Sequence, residues 1–498
     1  GPDFAKPEAA VSQNWLEAGD QRVQNRPANY NNWWQVFNDP ILNRLIDNAY
    51  RDNLTLRIAG VRVLGARAQL GIAAGDLYPQ TQQAVGSVIK NRLSETSVTA
   101  GPGSPTNFWQ STLGLTASWE IDFWGKFRRA IESADAGLLA AVADYDNTLV
   151  SLTADVGAAF ILIRTLESRL KIARQNVEVQ KESLQIATAR FEGGTTSERD
   201  VEQAKTVLAS TQATIPTLET QLRQTKNALC FLLGLTPNNL SDLLGNSTTI
   251  PAPMPQVAVG IPADLLRRRP DIRRAEYLAA EQCAKIGVAK ANLYPAFSLT
   301  GNFGFLATDA RFGLDDMFRW RSRTGSFGPS FQWNILNYGQ ITNLVRVQDT
   351  RFQELLIAYQ NTVLRAQQEV EDGLISFLKS QERADFLAQS TAAAQRSLDL
   401  AILQYREGIT DFTTVLTAEQ NLLTQQNDLA STLGDISRNL VAVYRALGGG
   451  WQMREGKDFV PDSVKTEMAA RTNWGKLLSP AVHTPPEQPK PLIRLPDW

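Results

Sequence analysis

Cysteine and histidine are nearly absent from this sequence of 498 residues. Its two cysteines, Cys230 and Cys283, are too few for a disulfide framework or a four-cysteine metal site. The single histidine, His483, lies in a proline-rich tail, which excludes histidine-based catalytic triads and zinc sites with several histidines. The sequence also shows no nucleophile–base pair, phosphate-binding loop or metal-ligand cluster. We therefore expect neither an enzymatic active site nor a metal.

Excess charge and long hydrophobic runs are missing as well. The 50 Lys and Arg residues balance 51 Asp and Glu residues, which gives a net charge of −1. A dedicated nucleic-acid-binding protein needs a basic face that contacts phosphates, so the charge argues against nucleic acid as a partner. The longest unbroken apolar stretch, Val156 to Ile163, is far shorter than the ~20 residues of a membrane-spanning helix.

Proline is unevenly distributed along the chain. None of the 23 prolines lies in residues 106–215 or 330–460. At the usual frequency of about 5%, two windows of this combined length should contain about a dozen. Because proline disrupts the interior of a helix, this absence predicts very long helices.

The chain contains an internal duplication. Several short segments recur in the same order at a nearly constant offset, which predicts two copies of one structural unit. The matched segments are Leu77-Tyr78-Pro79 with Leu293-Tyr294-Pro295, Trp119-x-Ile121 with Trp333-x-Ile335, Tyr145 with Tyr359, and Phe191-x-x-Gly194 with Tyr405-x-x-Gly408. The first pair differs by 216 in numbering and the other three by 214.

Each copy is predicted to contain an opening helix of ~30 residues that ends before Tyr-Pro, a β-hairpin, a long helix and a return helix. Pro216 is expected to interrupt the first return helix, and Ala430 stands at its place in the second. The predicted domains are an extended N-terminal arm (1–39), a first repeat (40–234, hairpin 80–122), an equatorial linker (235–255), a second repeat (256–448, hairpin 295–337), and an equatorial C-terminal tail (449–498) that lies extended on the folded body.

The hairpins show strict alternation of apolar and polar residues. From Trp109 to Phe123 the odd positions are mostly apolar and the even positions, Glu120 and Asp122 among them, are mostly polar. A transmembrane barrel with lipid outside and water inside shows this pattern, and so does a hairpin of a soluble β-sandwich. On the barrel interpretation, Glu120 and Asp122 are expected on the polar face of the strand, toward the lumen.

The long helices follow a heptad repeat. From Leu138 to Phe191 apolar residues occupy the a and d positions with one gap, at Gln180, which predicts left-handed supercoiled packing. One helix from Lys126 to Arg190 would be about 98 Å long at 1.5 Å per residue. Each long helix is predicted to end at a tip where a glycine supplies a left-handed cap. These tips are 192–195 and 407–410.

Four candidate strands are too few for a closed barrel. Single-chain barrels need about eight or more strands, because an open edge in lipid leaves backbone groups unpaired. A helical hairpin of about 98 Å likewise has no globular core of its own. Both arguments predict a cyclic homo-oligomer.

The segment from Ile261 to Ile272, Ile-Pro-Ala-Asp-Leu-Leu-Arg-Arg-Arg-Pro-Asp-Ile, closely resembles the signature of outer membrane factors, the TolC/OprM-like exit ducts of bacterial efflux systems. The segment from Gly1 to Pro7 resembles the sequence just after the lipidated cysteine in the lipoprotein branch of the family, which implies an N-terminal lipid anchor. Apart from that anchor, no cofactor is expected. The arginines of the signature are expected to be structural.

The resemblance implies an α+β membrane protein located in the bacterial outer membrane and extending into the periplasm. It implies a homotrimer in which twelve strands form one barrel in lipid and twelve helices form an α-helical barrel. The expected function is that of a passive duct for drugs or other toxic small molecules, with a periplasmic adaptor and an inner-membrane pump of the RND type as partners. Protein (type I) secretion and metal efflux remain alternatives, and a coiled-coil adhesin is less favoured because it does not explain the duplicated strands.

The resemblance also assigns candidate site residues near the tips. Asp200 and Tyr405 match two residues whose contacts close the periplasmic end in TolC. Thr410 stands in place of a gating arginine, and Thr414 and Thr417 stand in place of aspartates that form a cation-selecting ring there. Alternatively, Asp200 is a carboxylate near a helix dipole and Tyr405 an aromatic of the heptad seam. The tip residues expected to contact the adaptor are Gly193, Gly194, Thr195, Gly408, Ile409 and Thr410.

Overall fold

The structure is a computed structural model that describes residues 1–24, 30–94, 105–245, 247–309 and 314–479, with backbone only at 266, 267 and 314. Most of the first hairpin loop, part of the second and His483 lie outside these residues. In chain order, the elements are β1 Val23–Gln24, α1 Pro40–Asp52, α2 Leu54–Gly75, β2 Thr81–Arg92, β3 Asn107–Glu120, α3 Lys126–Glu192, α4 Glu198–Leu232, α5 Ser241–Leu244, β4 Val257–Ala258, α6 Leu265–Arg268, α7 Pro270–Ala291, β5 Ala296–Thr308, β6 Arg323–Gln332, α8 Gln340–Arg406, α9 Phe412–Ala446 and α10 Asp462–Arg471.

The prediction of one continuous opening helix in each repeat is wrong. In the first repeat the chain breaks at Asn53, whose side chain accepts a hydrogen bond from Leu56 N (2.8 Å) and caps α2. In the second repeat the break is at Arg269, which is extended (ψ 122°) because it precedes Pro270. A new helix therefore begins after the capping residue Asn53 in the first repeat and at Pro270 in the second.

The four long strands form one antiparallel sheet in the order β2-β3-β5-β6. β3 and β5 join the two repeats, with Leu115 opposite Phe303. The only other sheet in the described residues is the two-stranded β1–β4 pair, so no second sheet covers this one as in a sandwich. The outer edges of β2 and β6 have no partner strand in the described part of the chain.

Two details of the predicted strands are wrong. β6 ends at Gln332, so Trp333 and Ile335 lie beyond it. Asp122 lies beyond β3, where its carboxylate accepts hydrogen bonds from Phe127 N (3.1 Å) and Arg128 N (3.0 Å) at the start of α3. It stabilises unpaired N–H groups of a helix terminus rather than facing a lumen from a strand.

The long helices are confirmed. α3 and α8 each contain 67 residues, about 100 Å at 1.5 Å per residue. Most of the predicted heptad positions of α3, such as Leu149 and Val156, are buried. α3 contains a window apolar enough to cross a membrane, but most of that window is buried inside the molecule. Core packing therefore accounts for its composition.

The predicted interruption at Pro216 is wrong, since α4 continues through this residue. Proline leaves the carbonyl of the residue four positions earlier, Gln212, without its helical donor. Gln212 and Pro216 are both exposed, so water can hydrate that carbonyl. The Thr220 hydroxyl donates a hydrogen bond to Pro216 O (2.8 Å). The hydroxyls of Thr206 and Thr225 likewise donate to the carbonyl four residues earlier in α4.

Arg269 of the signature, Arg273 just after it and Arg454 of the tail hold the middle of the molecule together. Arg273 and Arg454 both contact the fully buried carboxylate of Asp146, each with a 3.0 Å hydrogen bond to Oδ2. Arg269 donates to Ala446 O at the end of α9 (2.7 Å). The structural role predicted for the basic run is confirmed for Arg269 and Arg273.

The N-terminal arm and the tail pack on the same region. Trp33 of the arm is fully buried and stacks on Tyr444 of α9, with ring centroids 5.6 Å apart. The described tail is not wholly extended, because it contains the ten-residue helix α10. Cys230 and Cys283 are buried free thiols, as expected of small apolar residues.

Candidate functional site

Both long helices end in the same glycine-capped turn. At the first tip Gly194 has φ 72° and Thr195 N donates to Arg190 O (2.9 Å). At the second tip Gly408 has φ 76° and Ile409 N donates to Gln404 O (2.9 Å). This six-residue hydrogen bond around a left-handed glycine is the Schellman motif. The predicted glycine caps are confirmed at equivalent positions of the two repeats.

The two tips pack against each other within the chain. Ala187 of α3, Val201 of α4, Leu398 of α8 and Phe412 of α9 belong to one buried apolar cluster. All four long elements of the molecule therefore contribute to this end. This cluster is distinct from the larger hydrophobic core in the middle of the molecule.

Arg190 joins the end of α3 to the end of α8. Its guanidinium donates to Tyr405 O and lies over the Tyr405 ring, 4.5 Å from the centroid. The backbone carbonyl of Arg190 accepts hydrogen bonds from Thr195 N and Thr195 Oγ1. The sequence alone does not indicate Arg190 as a site residue, because its partner lies in the other repeat and no local pattern identifies it.

Asp200 and Tyr405 lie close together, with Thr196 between them. The Thr196 hydroxyl donates to Asp200 Oδ2. Burial raises the pKa of Tyr405, as does the charge of Asp200, while contacts with Thr196 and Arg190 lower it. Among the described residues no hydrogen bond joins Asp200 to Tyr405, and the buried Tyr405 hydroxyl has no hydrogen-bond partner there.

Two of the three threonines of the second tip, Thr410 and Thr414, form a local network with Asp411. Asp411 caps α9 by accepting from Thr414 N (3.2 Å) and Thr414 Oγ1 (2.8 Å). Thr410 Oγ1 donates to Thr414 Oγ1 (3.0 Å), and Thr417 Oγ1 donates to Thr413 O of its own helix (2.8 Å). Thr414 and Thr417 are exposed in the single chain, so their side chains are available to a neighbouring chain.

A buried polar pair lies about two turns behind the tip. The Ser183 hydroxyl of α3 donates to the Glu419 carboxylate of α9, and both side chains are buried. Burial raises the pKa of Glu419, and the hydrogen bond from Ser183 opposes part of that effect. Gln180, the gap in the heptad, is buried one turn away, and its amide has no hydrogen-bond partner among the described residues. The only sequence signal for Glu419 is a carboxylate within the apolar stripe of α9.

Comparison with known proteins identifies the family. The family model described as outer membrane efflux protein matches residues 45–235 and 261–449, more than half of the chain. Nodulation protein T of Rhizobium leguminosarum bv. viciae is 30% identical over 484 residues, 96% of each chain. The toluene efflux pump outer membrane protein TtgC of Pseudomonas putida is 30% identical over 472 residues, 93% of this chain and 95% of that protein.

Solved structures share the fold over nearly the whole chain. The outer-membrane channel OprN is 34% identical with a TM-score of 0.84, covering 91% of this chain and 99% of that chain. The Campylobacter jejuni CmeC outer membrane channel is 26% identical with a TM-score of 0.80, covering 95% of this chain and 98% of that chain. This protein thus has the α+β fold of an efflux channel and is located in the outer membrane, with its helices in the periplasm. It belongs to the outer membrane efflux protein family.

Proposed function

We propose that this protein is a passive duct through which small apolar toxic molecules leave the cell. The observation that carries this proposal is the continuity of a four-stranded sheet, exposed on both faces, with two helices of 67 residues. A conduit needs a wall in lipid and a wall in water, and this chain supplies part of each. The names of relatives that export toluene, solvents and antibiotics favour small molecules as the cargo.

The cargo is tested by deleting the gene in its own host. We expect the deletion strain to retain more of a hydrophobic fluorescent dye and to lose tolerance to toluene, and the intact gene to restore both. Unchanged dye retention together with loss of a secreted protein would instead identify a protein-secretion duct. Unchanged dye retention with new sensitivity to a metal salt would identify a metal-efflux duct.

The assembly that we propose is a homotrimer. The described chain supplies four barrel strands and leaves the edges of β2 and β6 unpaired. Lipid-exposed edges are not tolerated, so other copies must close the barrel, and three copies supply twelve strands. The mass of the detergent-solubilised particle tests this, because a particle of one chain contradicts it.

We also propose that the tips bind a periplasmic adaptor of an RND-type pump. The two Schellman turns expose Thr195, Gly408 and Ile409 at the end of the helices farthest from the sheet. A photo-reactive amino acid at Thr195 or Ile409 is expected to cross-link the adaptor in cells. The matched control is Thr466, an exposed residue of α10, which should give no such product.

The same tips are proposed to hold the periplasmic end closed. The carboxylate of Asp200, the Thr196 hydroxyl and the Tyr405 phenol lie together at the end of the helices. A charge-assisted hydrogen bond at such a site contributes roughly 1.5–3 kcal/mol, which is enough to bias a two-state closure by at least tenfold.

A lipid anchor is proposed at the N-terminal arm. Asp3 forms an ion pair with Arg129 in the first turn of α3, close to the sheet, so the start of the arm lies where helix meets barrel. An acyl chain attached just ahead of this point would reach the membrane surface. Labelling the full-length precursor with radioactive palmitate tests it, and the absence of label contradicts the proposal.

A further inference from the structure

One face of the four-stranded sheet is apolar over most of its length. Residues that lie opposite each other on neighbouring strands point to the same face, so Leu113 shares a face with Phe305, and Leu115 shares it with Phe303. In a channel formed by a membrane barrel, the polar side of each strand faces water in the lumen and the apolar side faces lipid. The face that carries these four residues is therefore the lipid-facing one.

Charged residues on the lipid-facing side are confined to one end of the strands. Lys90 lies opposite Trp109 near the end of β2, and Arg92 follows on the same face. Arg323 lies opposite Phe305 at the start of β6. In the described strands β2, β3, β5 and β6, no other lipid-facing position carries a charge. All three charged residues are basic.

This end of the strands lies at the outer surface of the membrane. The chain passes from the end of β3 into α3 and from the end of β6 into α8, and these helices lie in the periplasm. The ends of β3 and β6 are therefore periplasmic. The starts of the same strands, with Trp109 and Arg323, reach the head groups of the outer leaflet.

Two of the three cations lie over indole rings. Lys90 Nζ is 5.6 Å from the centroid of the Trp109 ring, and the guanidinium carbon of Arg323 is 4.2 Å from the centroid of the Trp320 ring. Such stacking holds a cation in place and leaves its N–H donors free. Among the described residues, no carboxylate forms an ion pair with Lys90, Arg92 or Arg323. These side chains are exposed and can therefore bind an anion.

The loop before β6 adds two arginines that a buried carboxylate fixes in place. Arg319 Nε donates to the Asp316 carboxylate (2.6 Å), and Arg321 donates to the same group. Asp316 is 8% exposed, whereas the side chains of Arg319 and Arg321 are 64% and 51% exposed. Including the strand residues, five basic residues of this end outnumber three acidic ones in the described chain, Asp309, Asp315 and Asp316.

Aromatic rings continue from these cations toward the middle of the membrane. Phe318 is exposed and contacts Phe305, with ring centroids 6.2 Å apart. Phe305 in turn contacts Phe303, with ring centroids 6.1 Å apart. A ligand at this place would meet cations at the outer edge of the sheet and apolar rings deeper in the membrane. An amphiphile with an anionic head group and acyl chains has the matching profile.

The periplasmic end of the same face has aromatic residues without the cations. Trp119, Phe297 and Phe331 occupy lipid-facing positions there. Aromatic residues at both membrane surfaces are typical of membrane barrels, so the rings alone need no specific ligand. Basic residues that occur at one surface only indicate an anionic partner that is present in the outer leaflet.

We propose that Lys90, Arg92, Arg319, Arg321 and Arg323 form an outer basic patch that binds the phosphate groups of lipid A, the glycolipid of the outer leaflet. A guanidinium group binds a phosphate through two parallel hydrogen bonds, and an ammonium group binds it as a point charge. Lipid A carries its phosphates on a sugar head group above several acyl chains, which fits cations above aromatic rings. The proposal concerns the barrel surface and does not depend on the cargo.

Lipid titration followed by native mass spectrometry tests this proposal on the full-length protein, purified and delipidated in detergent. The probes are bisphosphorylated lipid A and the same lipid A after removal of both phosphates. Each basic residue near an anionic lipid contributes about a fivefold gain in affinity. We therefore expect the dephosphorylated form to bind at least about 30-fold more weakly than the bisphosphorylated form.

Variants of the strand residues test the patch itself. Lys90→Gln/Arg323→Gln should weaken binding of bisphosphorylated lipid A by about 30-fold and leave binding of the dephosphorylated form unchanged. Lys90→Arg/Arg323→Lys retains both charges and should retain most of the affinity. The matched control, Lys181→Gln/Lys205→Gln, removes two exposed lysines of α3 and α4 and should bind both forms as the wild type does.

Two further probes identify the source of the phosphate. Phosphatidylglycerol has a single phosphate and should bind more weakly than lipid A, whereas equal binding would overturn the assignment to lipid A. Millimolar inorganic phosphate makes no contact with the aromatic rings and should not displace lipid A. Displacement by inorganic phosphate would mean a site for the free ion and would overturn the assignment to a lipid.

Particle mass and melting temperature are measured for each variant first, so that lost binding is not lost folding. If Lys90→Gln/Arg323→Gln does not form the wild-type particle, Arg92→Gln/Arg323→Gln takes its place. Equal affinity of the wild type for the two forms of lipid A would overturn the proposal. A folded charge variant that binds bisphosphorylated lipid A as tightly as the wild type would overturn it as well.

Discussion

The guanidinium carbon of Arg190 lies 4.5 Å from the centroid of the Tyr405 ring, although the two residues belong to different repeats. The same guanidinium donates to Tyr405 O in the last turn of α8. A cation held over an aromatic ring, with a hydrogen bond beside it, couples the ends of α3 and α8. This contact ties the two tips of a chain to each other, so on the closure proposed above we expect an opening to separate chains or to break this contact.

We predict that Asp200→Ala and Tyr405→Phe each raise single-channel conductance in planar bilayers. Asp200→Ala removes the acceptor of the Thr196 hydroxyl. Tyr405→Phe removes a buried hydroxyl that has no hydrogen-bond partner among the described residues of one chain, so we expect it to act in a contact between chains. The loss of a charge-assisted hydrogen bond, roughly 1.5–3 kcal/mol, shifts closure by about tenfold or more. Thr206→Ala is the control, because that exposed hydroxyl bonds only to Glu202 O of its own helix. Wild-type conductance in both variants would mean that these residues do not hold the tip closed.

Much of the fold could be predicted because its signals are local or periodic. Gly194 and Gly408 follow long heptad stretches, and a glycine at that place supplies the left-handed cap. The break at Asn53 has a signal too, an asparagine able to cap α2, but the uninterrupted apolar pattern around it masks that signal. The predictions of the long helices and of the alternating strands remain correct despite this error, because each rests on many residues.

The candidate site was less predictable, since its contacts join distant segments. Nothing near Arg190 in the sequence indicates Tyr405, and Thr196 between Asp200 and Tyr405 is visible only in three dimensions. The burial of Glu419 depends on which helix lies beside α9. Duplication identified equivalent positions correctly, but it could not show which copy has its neighbour in the same chain.

We predict that Asp146→Ala lowers the free energy of unfolding by about 3–5 kcal/mol, because it leaves Arg273 and Arg454 as buried charges without their carboxylate. The control is Asp144→Ala, two residues away, which loses only a half-exposed pair with Arg274 and should cost at most about 1 kcal/mol. Denaturant unfolding of the detergent-solubilised protein measures both. Equal losses would show that burial of the Asp146 cluster is not what stabilises this region.

We predict that Glu419 makes stability depend on pH. Burial raises its pKa above the ordinary 4.5, so the folded state binds the proton more tightly than the unfolded state. Its contribution is fully present below pH 4.5 and is lost as the pH rises through the folded-state pKa. The glutamine of Glu419→Gln stays neutral at every pH. As the pH rises from about 4 to about 8, the melting temperature of this variant should therefore increase relative to that of the wild type. The melting temperature of the exposed control Glu407→Gln should change with pH as that of the wild type does. If the melting temperature of Glu419→Gln did the same, the predicted effect of Glu419 on stability would be wrong.

Adjacent glycines at the first tip give the last prediction, because they have the same chemistry but different backbones. Gly194 has φ 72°, where an L-residue costs roughly 1–2 kcal/mol, whereas Gly193 has φ −76° in the helical region. Gly194→Ala should therefore loosen the tip, while Gly193→Ala should be neutral or stabilise it by about 0.4–1 kcal/mol through the unfolded state. Amide hydrogen exchange at Thr195, whose N–H bonds to Arg190 O, reports the effect. Faster exchange in Gly194→Ala alone is expected. Equal exchange in the two variants would mean that the left-handed cap does not hold the turn that presents Thr195 to a partner.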